Sequence, residues 1–171
     1  MRALILLLAA AGLAFGIYLG MHHAGKERAV PVATLPSAPE LSLQDLNGSA
    51  LHTADYSGRV VLVNFWAAWC APCAEEVPQF IALQKKYQDQ GLQVIGFSVD
   101  DDATELRDFY RKHQVNYPVV PSDIKIADAF GGVLGLPTTF LIGRDGKIHD
   151  KYNGATNFTA LEQEAVRLMK Q

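Results

Sequence analysis

The chain has 171 residues, of which 49% are hydrophobic and 19% are charged. This length and composition suit one globular domain that buries its own core and needs no disulfide cross-links to fold. The net charge of −3 gives no basic surface of the kind that binds nucleic acid, so we expect no nucleic-acid partner. The two cysteines are too few for the disulfide framework of a small secreted domain.

The first 22 residues predict a membrane anchor or an export signal. Residues 3–21 contain no charged side chain, and a helix of that length, at about 1.5 Å per residue, nearly spans the hydrocarbon layer of a bilayer. Arg2 supplies the positive charge with which export signals begin. Ala14 and Gly16 would suit a signal peptidase, but the apolar run continues past them, which favours an uncleaved anchor.

If the anchor is uncleaved, we expect the rest of the chain to be held at the inner membrane, facing the periplasm or another space outside the cytoplasm. Cleavage would instead release a secreted periplasmic protein. Residues 23–37 are predicted to be a linker, because Pro31 and Pro36 disfavour helix and favour extended chain. Residues 38–171 are predicted to form the folded domain.

The first half of this domain predicts two buried strands around a helix. Residues 60–66 are apolar or β-branched almost throughout, as in a central strand that is buried on both faces. Residues 73–90 predict a helix that Pro78 kinks and Gly91 ends. Residues 92–99 predict the second strand.

The second half predicts two helices, two strands and a final amphipathic helix, at residues 104–113, 123–130, 138–142, 147–152 and about 158–168. Ser122 is expected to cap the second of these helices. Asp145 and Gly146 form a hairpin signal between the two strands. Strands that alternate with helices and then finish in a hairpin indicate an α/β sandwich with parallel strands first and an antiparallel edge last.

Three consecutive aspartates, at positions 100–102, precede the helix predicted at 104–113. A cluster of carboxylates can bind a cation. Because a helix begins immediately afterwards, we expect these residues to cap it and to offset its dipole instead.

The chemistry of the chain is predicted to reside in Cys70 and Cys73. They lie where the first buried strand passes into a helix, so Cys70 takes the helix N-terminus. Unpaired backbone N–H groups and the helix dipole favour negative charge there. Since the thiolate is the reactive form, this position should lower the pKa of Cys70. Cys73 follows one turn later, and Pro72 is tolerated in the first turn.

This spacing predicts dithiol exchange. Cys70 attacks a substrate disulfide, and Cys73 then attacks the resulting mixed disulfide and releases the reduced substrate. A zinc site would need two further ligands, and His52, His113 and His149 show no paired spacing, so we expect no metal. The Cys70–Cys73 disulfide would then be the redox group, without a separate cofactor.

The run from Trp69 to Cys73 resembles the active site of the thioredoxin superfamily. Four further features match the TlpA/ResA-like branch in the same order, namely Glu76, Pro78, a cis-proline segment at 134–142 and a turn at 145–147. Members of that branch are exported thiol–disulfide oxidoreductases. The resemblance covers about residues 38–170.

The resemblance implies a thioredoxin-like three-layer sandwich with a mixed central sheet. Residues 103–121 would be the extra helix and strand of this branch. Pro137 would be cis beside the cysteines, leaving the backbone of Leu136 to pair with an extended substrate. Glu76 would help to manage protons, and burial there should raise its pKa. The implied catalytic residues are Cys70, Cys73, Glu76 and Pro137, and the implied substrate contacts are Trp69, Ala71, Pro72 and Leu136.

The branch also implies a function, namely reduction of disulfides in exported proteins, including apocytochrome c. A reductant outside the cytoplasm would need a membrane protein as electron donor. Asn64 stands where thioredoxin has a buried aspartate, which leaves the direction of electron transfer open.

Two other functions share the fold. A copper metallochaperone would use the two cysteines and a histidine as ligands, although such relatives have wider cysteine spacing and a dedicated distal histidine. A thiol peroxidase would use a single reactive cysteine without the Trp-Cys-x-x-Cys motif. We therefore expect exchange through Cys70 and Cys73, with the copper chaperone as the main alternative.

Overall fold

A computed structural model describes residues 36–100 and 102–171. In this part of the chain, seven strands and four α-helices follow one another. The strands are β1 (Ser42–Gln44), β2 (Ala50–His52), β3 (Val60–Trp66), β4 (Leu92–Ser98), β5 (Val119–Pro121), β6 (Thr138–Ile142) and β7 (Ile148–Asn153). The helices are α1 (Ala71–Tyr87), α2 (Ala103–Lys112), α3 (Ile124–Ala129) and α4 (Phe158–Met169).

Five of the strands form the central sheet, in the order β5-β4-β3-β6-β7. β3 pairs in parallel with β4, and β4 with β5. On the other side of β3, β6 pairs antiparallel with β3, and β7 pairs antiparallel with β6. The parallel pairs are joined through α1 and α2, since parallel neighbours need a crossover. The predicted mixed α/β sheet is confirmed, with α2 and β5 in the region expected for the extra helix and strand.

The central strand β3 divides the core into two layers. All seven of its residues are buried, and successive side chains point to opposite faces of the sheet. Leu62 and Trp66 pack on one face with α1 and α4, in the same cluster as both cysteines. Val63 and Phe65 pack on the other face with residues of α3 and β2. The cysteines therefore lie on the α1 side of the sheet.

The starts of α1 and α3 differ from the sequence prediction. Helix α1 begins at Ala71, two residues earlier than expected, because Pro72 fits the first turn and Cys70 takes the extended N-cap conformation. The prediction that Ser122 caps α3 is wrong. Asp123 is the cap, and its carboxylate accepts hydrogen bonds from the backbone N–H groups of Lys125 and Ile126 at 3.0 and 3.1 Å.

The start of the described region is bonded to the edge of the sheet. The carbonyl oxygen of Pro36 accepts a hydrogen bond from the Ile148 N–H at 2.8 Å, and the Ala38 N–H donates to the Gly146 oxygen at 2.9 Å. The predicted membrane segment at 1–22 lies outside the described residues, as does most of the predicted linker at 23–37. Within 36–100 and 102–171, no helix has the length and apolar composition that crossing a membrane requires.

Candidate active site

Cys70 and Cys73 lie at the start of α1 and are joined by a disulfide, with their Cα atoms 5.2 Å apart. Cys70 is the N-cap residue, and its side chain makes no capping hydrogen bond. A sulfur at this position lies beside the first-turn N–H groups, which favour a thiolate after reduction. Cys70 keeps 7% of its surface exposed and Cys73 only 1%, so Cys70 is the more accessible of the two.

The loop that presents Cys70 is bound to the segment after β4. The Ala68 N–H donates to both carboxylate oxygens of Asp100, at 3.0 and 2.9 Å. The same carboxylate accepts a hydrogen bond from the Ser98 hydroxyl at 2.6 Å. Within the loop, the Cys70 N–H donates to the Ala67 oxygen at 3.2 Å. Asp100 was expected to serve the following helix, so its contact with the cysteine loop is a feature that the sequence reasoning missed.

The segment before β6 contains the expected cis peptide bond, between Leu136 and Pro137. Pro137 is buried, and its oxygen accepts a hydrogen bond from the Gly154 N–H at 2.9 Å. The Thr138 hydroxyl donates to the Gly135 oxygen at 2.7 Å. Leu136 is half-buried and packs against both core clusters, the one that contains the cysteines and the one on the opposite face of the sheet. The segment is thus bonded to the strand end at Gly154 and packs between the two layers of the core.

Glu76 lies one turn beyond Cys73 in α1 and is only 5% exposed. One carboxyl oxygen accepts a hydrogen bond from the Thr156 N–H at 2.5 Å. The other, Oε2, is buried without a hydrogen-bond partner among the described residues. Burial raises the pKa of Glu76, and the bond from Thr156 opposes that rise. The expected direction is confirmed, while the part Glu76 plays in proton transfer stays a prediction.

We expect Glu76→Gln to remove a pH-dependent cost to stability. Because the pKa of Glu76 is raised above its ordinary value of 4.5, the native state binds more protons than the unfolded state in that window. Stability therefore falls as pH rises from about 4.5 through the raised pKa. Glutamine stays neutral and still offers an oxygen to Thr156. The melting temperature of the variant minus that of wild type should therefore increase by a few degrees as the pH is raised from about 4 to about 8.

Thermal unfolding of the oxidised proteins across this pH range measures the effect. Glu75→Gln is the matched control, since it makes the same substitution at the exposed neighbour on the same helix. A difference between Glu76→Gln and wild type that stays constant across the range would contradict the prediction.

Several apolar side chains are exposed near the cysteines and the cis-proline segment. Trp69, which directly precedes Cys70, is 68% exposed, and the predicted contact residues Ala71 and Pro72 are also exposed. Ile124 and Leu134 are exposed large hydrophobic residues as well, and they line a groove of about 380 Å³ together with Leu136. Exposed apolar side chains beside a reactive cysteine, and in a groove, are typical of surfaces that contact another molecule.

Asn64, which the sequence resemblance sets at the position of thioredoxin's buried aspartate, lies in β3. It is 2% exposed, and its Nδ2 donates to the Thr139 hydroxyl at 3.0 Å across the β3–β6 pair. An amide in this position cannot accept a proton, so Glu76 is the buried carboxyl of the site.

A copper site of the predicted kind would need a third ligand beside the two sulfurs. Residues 36–100 and 102–171 contain no cluster of three or more His, Cys, Asp or Glu side chains that could hold a metal ion. Within these residues, the two cysteine sulfurs therefore have no third side chain of these types beside them to complete a copper site.

Comparison with known proteins shows the same chemistry in relatives. The sequence model of the AhpC/TSA family matches residues 36–151. The chain is 31% identical over 163 residues to the thiol-disulfide oxidoreductase ResA of Bacillus cereus, covering 95% of this chain and 91% of the relative. It is 35% identical over 148 residues to the ResA protein of Bacillus subtilis, covering 86% of this chain and 80% of that protein.

A solved structure supports the same fold. The thiol:disulfide interchange protein of the thioredoxin family from Chlorobium tepidum superposes with a TM-score of 0.75 at 25% identity, covering 81% of this chain and 99% of that one. The predicted fold and the predicted reaction, thiol–disulfide exchange, are confirmed. The chain belongs to the ResA-like thiol–disulfide oxidoreductases of the thioredoxin superfamily.

Proposed function

We propose that this enzyme works outside the cytoplasm as a reductant of disulfides in exported proteins, with apocytochrome c as one substrate. The apolar surface beside Cys70 carries the proposal, because it suits a polypeptide better than a small polar disulfide. Trp69 is 68% exposed beside the reactive sulfur, where an unfolded or partly folded protein segment would contact it.

An extended substrate segment has a place to pair at the cis-proline segment. Leu136 precedes β6, so its backbone lies outside the ladders that β6 forms with β3 and β7. Main-chain hydrogen bonds at Leu136 would hold the substrate in extended form, and the neighbouring groove would take its apolar side chains. This binding mode would recognise the backbone and the apolar side chains of the substrate, which suits a disulfide within a protein.

Each reduction leaves Cys70 and Cys73 oxidised, so two electrons and two protons must be supplied before the next turnover. Outside the cytoplasm a membrane protein is the natural donor. The apolar run at residues 3–21 supports this arrangement, because an anchor would keep the domain beside such a donor.

The reductant function predicts a low reduction potential. We expect the full-length protein in detergent to equilibrate with glutathione at about −200 mV or below, in the range of reducing members of the superfamily. The fraction of free thiols, read by alkylation and mass spectrometry at a series of glutathione ratios, gives the potential. A value near about −120 mV, where the strong oxidants lie, would contradict the proposed direction.

The proposed location is tested separately by labelling in intact cells. Cys70 is the remaining thiol in a Cys73→Ser variant, because the chain has only two cysteines. A thiol reagent that cannot cross the cytoplasmic membrane should label this variant in cells whose outer membrane has been made permeable and whose cytoplasmic membrane is closed. If labelling appears only after the cells are lysed, the domain lies in the cytoplasm and the proposed location is wrong.

A further inference from the structure

The side chain of Asp100 lies directly after β4 and contacts the loop that carries Cys70. We propose that Asp100 is a positioning residue for Cys70, holding the loop between β3 and α1 in the geometry that thiol–disulfide exchange requires. The inference rests on Cys70 as the attacking sulfur, and it is independent of the direction of electron transfer.

The carboxylate of Asp100 is a two-sided clamp. Its two oxygens accept the Ala68 N–H at 3.0 and 2.9 Å. On the other side, Oδ2 accepts from the Ser98 hydroxyl at 2.6 Å, and the Asp100 N–H donates back to the Ser98 oxygen at 3.1 Å. Ser98 is fully buried in β4, so its hydrogen bonds hold the Asp100 side chain against the central sheet. Hydrogen bonds to a charged group are also the stronger kind.

The clamped loop is short and carries the reactive sulfur. β3 ends at Trp66 and α1 begins at Ala71, and Cys70 lies two residues after Ala68, within about 7 Å along the chain. The loop is also held where the Val99 N–H donates to the Trp66 oxygen at 3.0 Å. That bond fixes only the start of the loop. Without Asp100, the Ala68 N–H would lose its acceptor and the middle of the loop its contact with β4.

The nearby Asp102 has a different role from Asp100. Asp102 is the N-cap of α2, and its carboxylate accepts the N–H groups of Thr104 and Glu105 at 2.7 and 3.3 Å. The sequence prediction of capping is therefore confirmed for Asp102 but not for Asp100. Because the two residues have the same charge and lie two positions apart, Asp102 is a matched control for Asp100.

The test measures how fast reduced Cys70 attacks a small aromatic disulfide, using the full-length protein and the variants Asp100→Ala, Asp100→Asn and Asp102→Ala. Small displacements at a reacting centre cost large factors in rate, so Asp100→Ala should lower the second-order rate constant about tenfold. Asparagine keeps one oxygen for the Ala68 N–H, so Asp100→Asn should recover most of the rate. Asp102→Ala should react at the wild-type rate although it lowers the melting temperature through loss of the cap.

Three results would overturn the inference. Asp100→Ala reacting at the wild-type rate would show that the clamp has no part in exchange. Asp100→Asn reacting as slowly as Asp100→Ala would assign the effect to charge and not to position. Asp102→Ala slowing as much as Asp100→Ala would mark a general effect of instability. Unreactive wild-type Cys70 would instead overturn the order of attack on which both this inference and the proposed function depend.

Discussion

Replacement of Cys70 by serine is expected to abolish thiol–disulfide exchange, with a loss of about 10³-fold or more in the rate of disulfide reduction. Cys70 is the N-cap residue of α1 and the more exposed of the two sulfurs. A serine hydroxyl at the same place is not ionised near neutral pH and forms no mixed disulfide. Reduction of a protein disulfide with dithiothreitol as the electron source measures the loss.

In the matched variant Cys73→Ser, the exchange reaction should stop after its first step. Cys70 still attacks the substrate, but the resolving sulfur is gone, so the mixed disulfide should accumulate. Intact mass spectrometry without reductant then shows the protein with one substrate attached, and the same experiment in cells identifies the physiological partner.

These two variants also separate the competing mechanisms. A stable mixed disulfide in Cys70→Ser, formed by Cys73, would reverse the assigned order, which rests on 7% exposure at Cys70 against 1% at Cys73. Turnover of peroxide by Cys73→Ser would support the thiol peroxidase alternative, because a single reactive cysteine suffices for that reaction. We expect neither result.

The long buried strands of the fold could be predicted from the residue pattern, and the short β1–β2 hairpin could not. β3 and β4 each have seven residues, all buried, so their apolar runs stand out from their surroundings. The β1–β2 hairpin was not predicted. Each of its strands has three residues, and Leu51 alone among them is buried, which is too short a pattern for an alternation of apolar and polar residues to show.

The same division holds at the active site. Cys70 and Cys73 were found because their chemistry depends on local spacing at a helix start, and the cis peptide bond at Pro137 followed from a resemblance. The contacts made by Asp100 and Glu76 were not found, because they join residues 32 and 80 positions apart. Only the folded chain shows that Asp100 serves the loop rather than the next helix.

The largest loss of stability is expected from Phe65→Ala. Phe65 is fully buried and lies among three other rings, with centroids 5.1 Å from Phe97, 5.5 Å from Phe130 and 5.9 Å from Phe140. Removing it leaves a cavity bounded by elements of the sheet that cannot easily close, and it also removes three ring contacts. We expect a loss of about 3–5 kcal/mol in the free energy of unfolding.

Urea unfolding of the oxidised protein measures this loss. Phe65→Leu is the control, since it keeps most of the volume and should cost about 1–2 kcal/mol. A loss below about 1 kcal/mol for Phe65→Ala would mean that the layer collapses to fill the space. Phe65 points to the opposite face of β3 from the cluster that contains the cysteines. The folded variant should therefore attack a small disulfide at nearly the wild-type rate, because both reacting sulfurs lie in the α1 layer of the core.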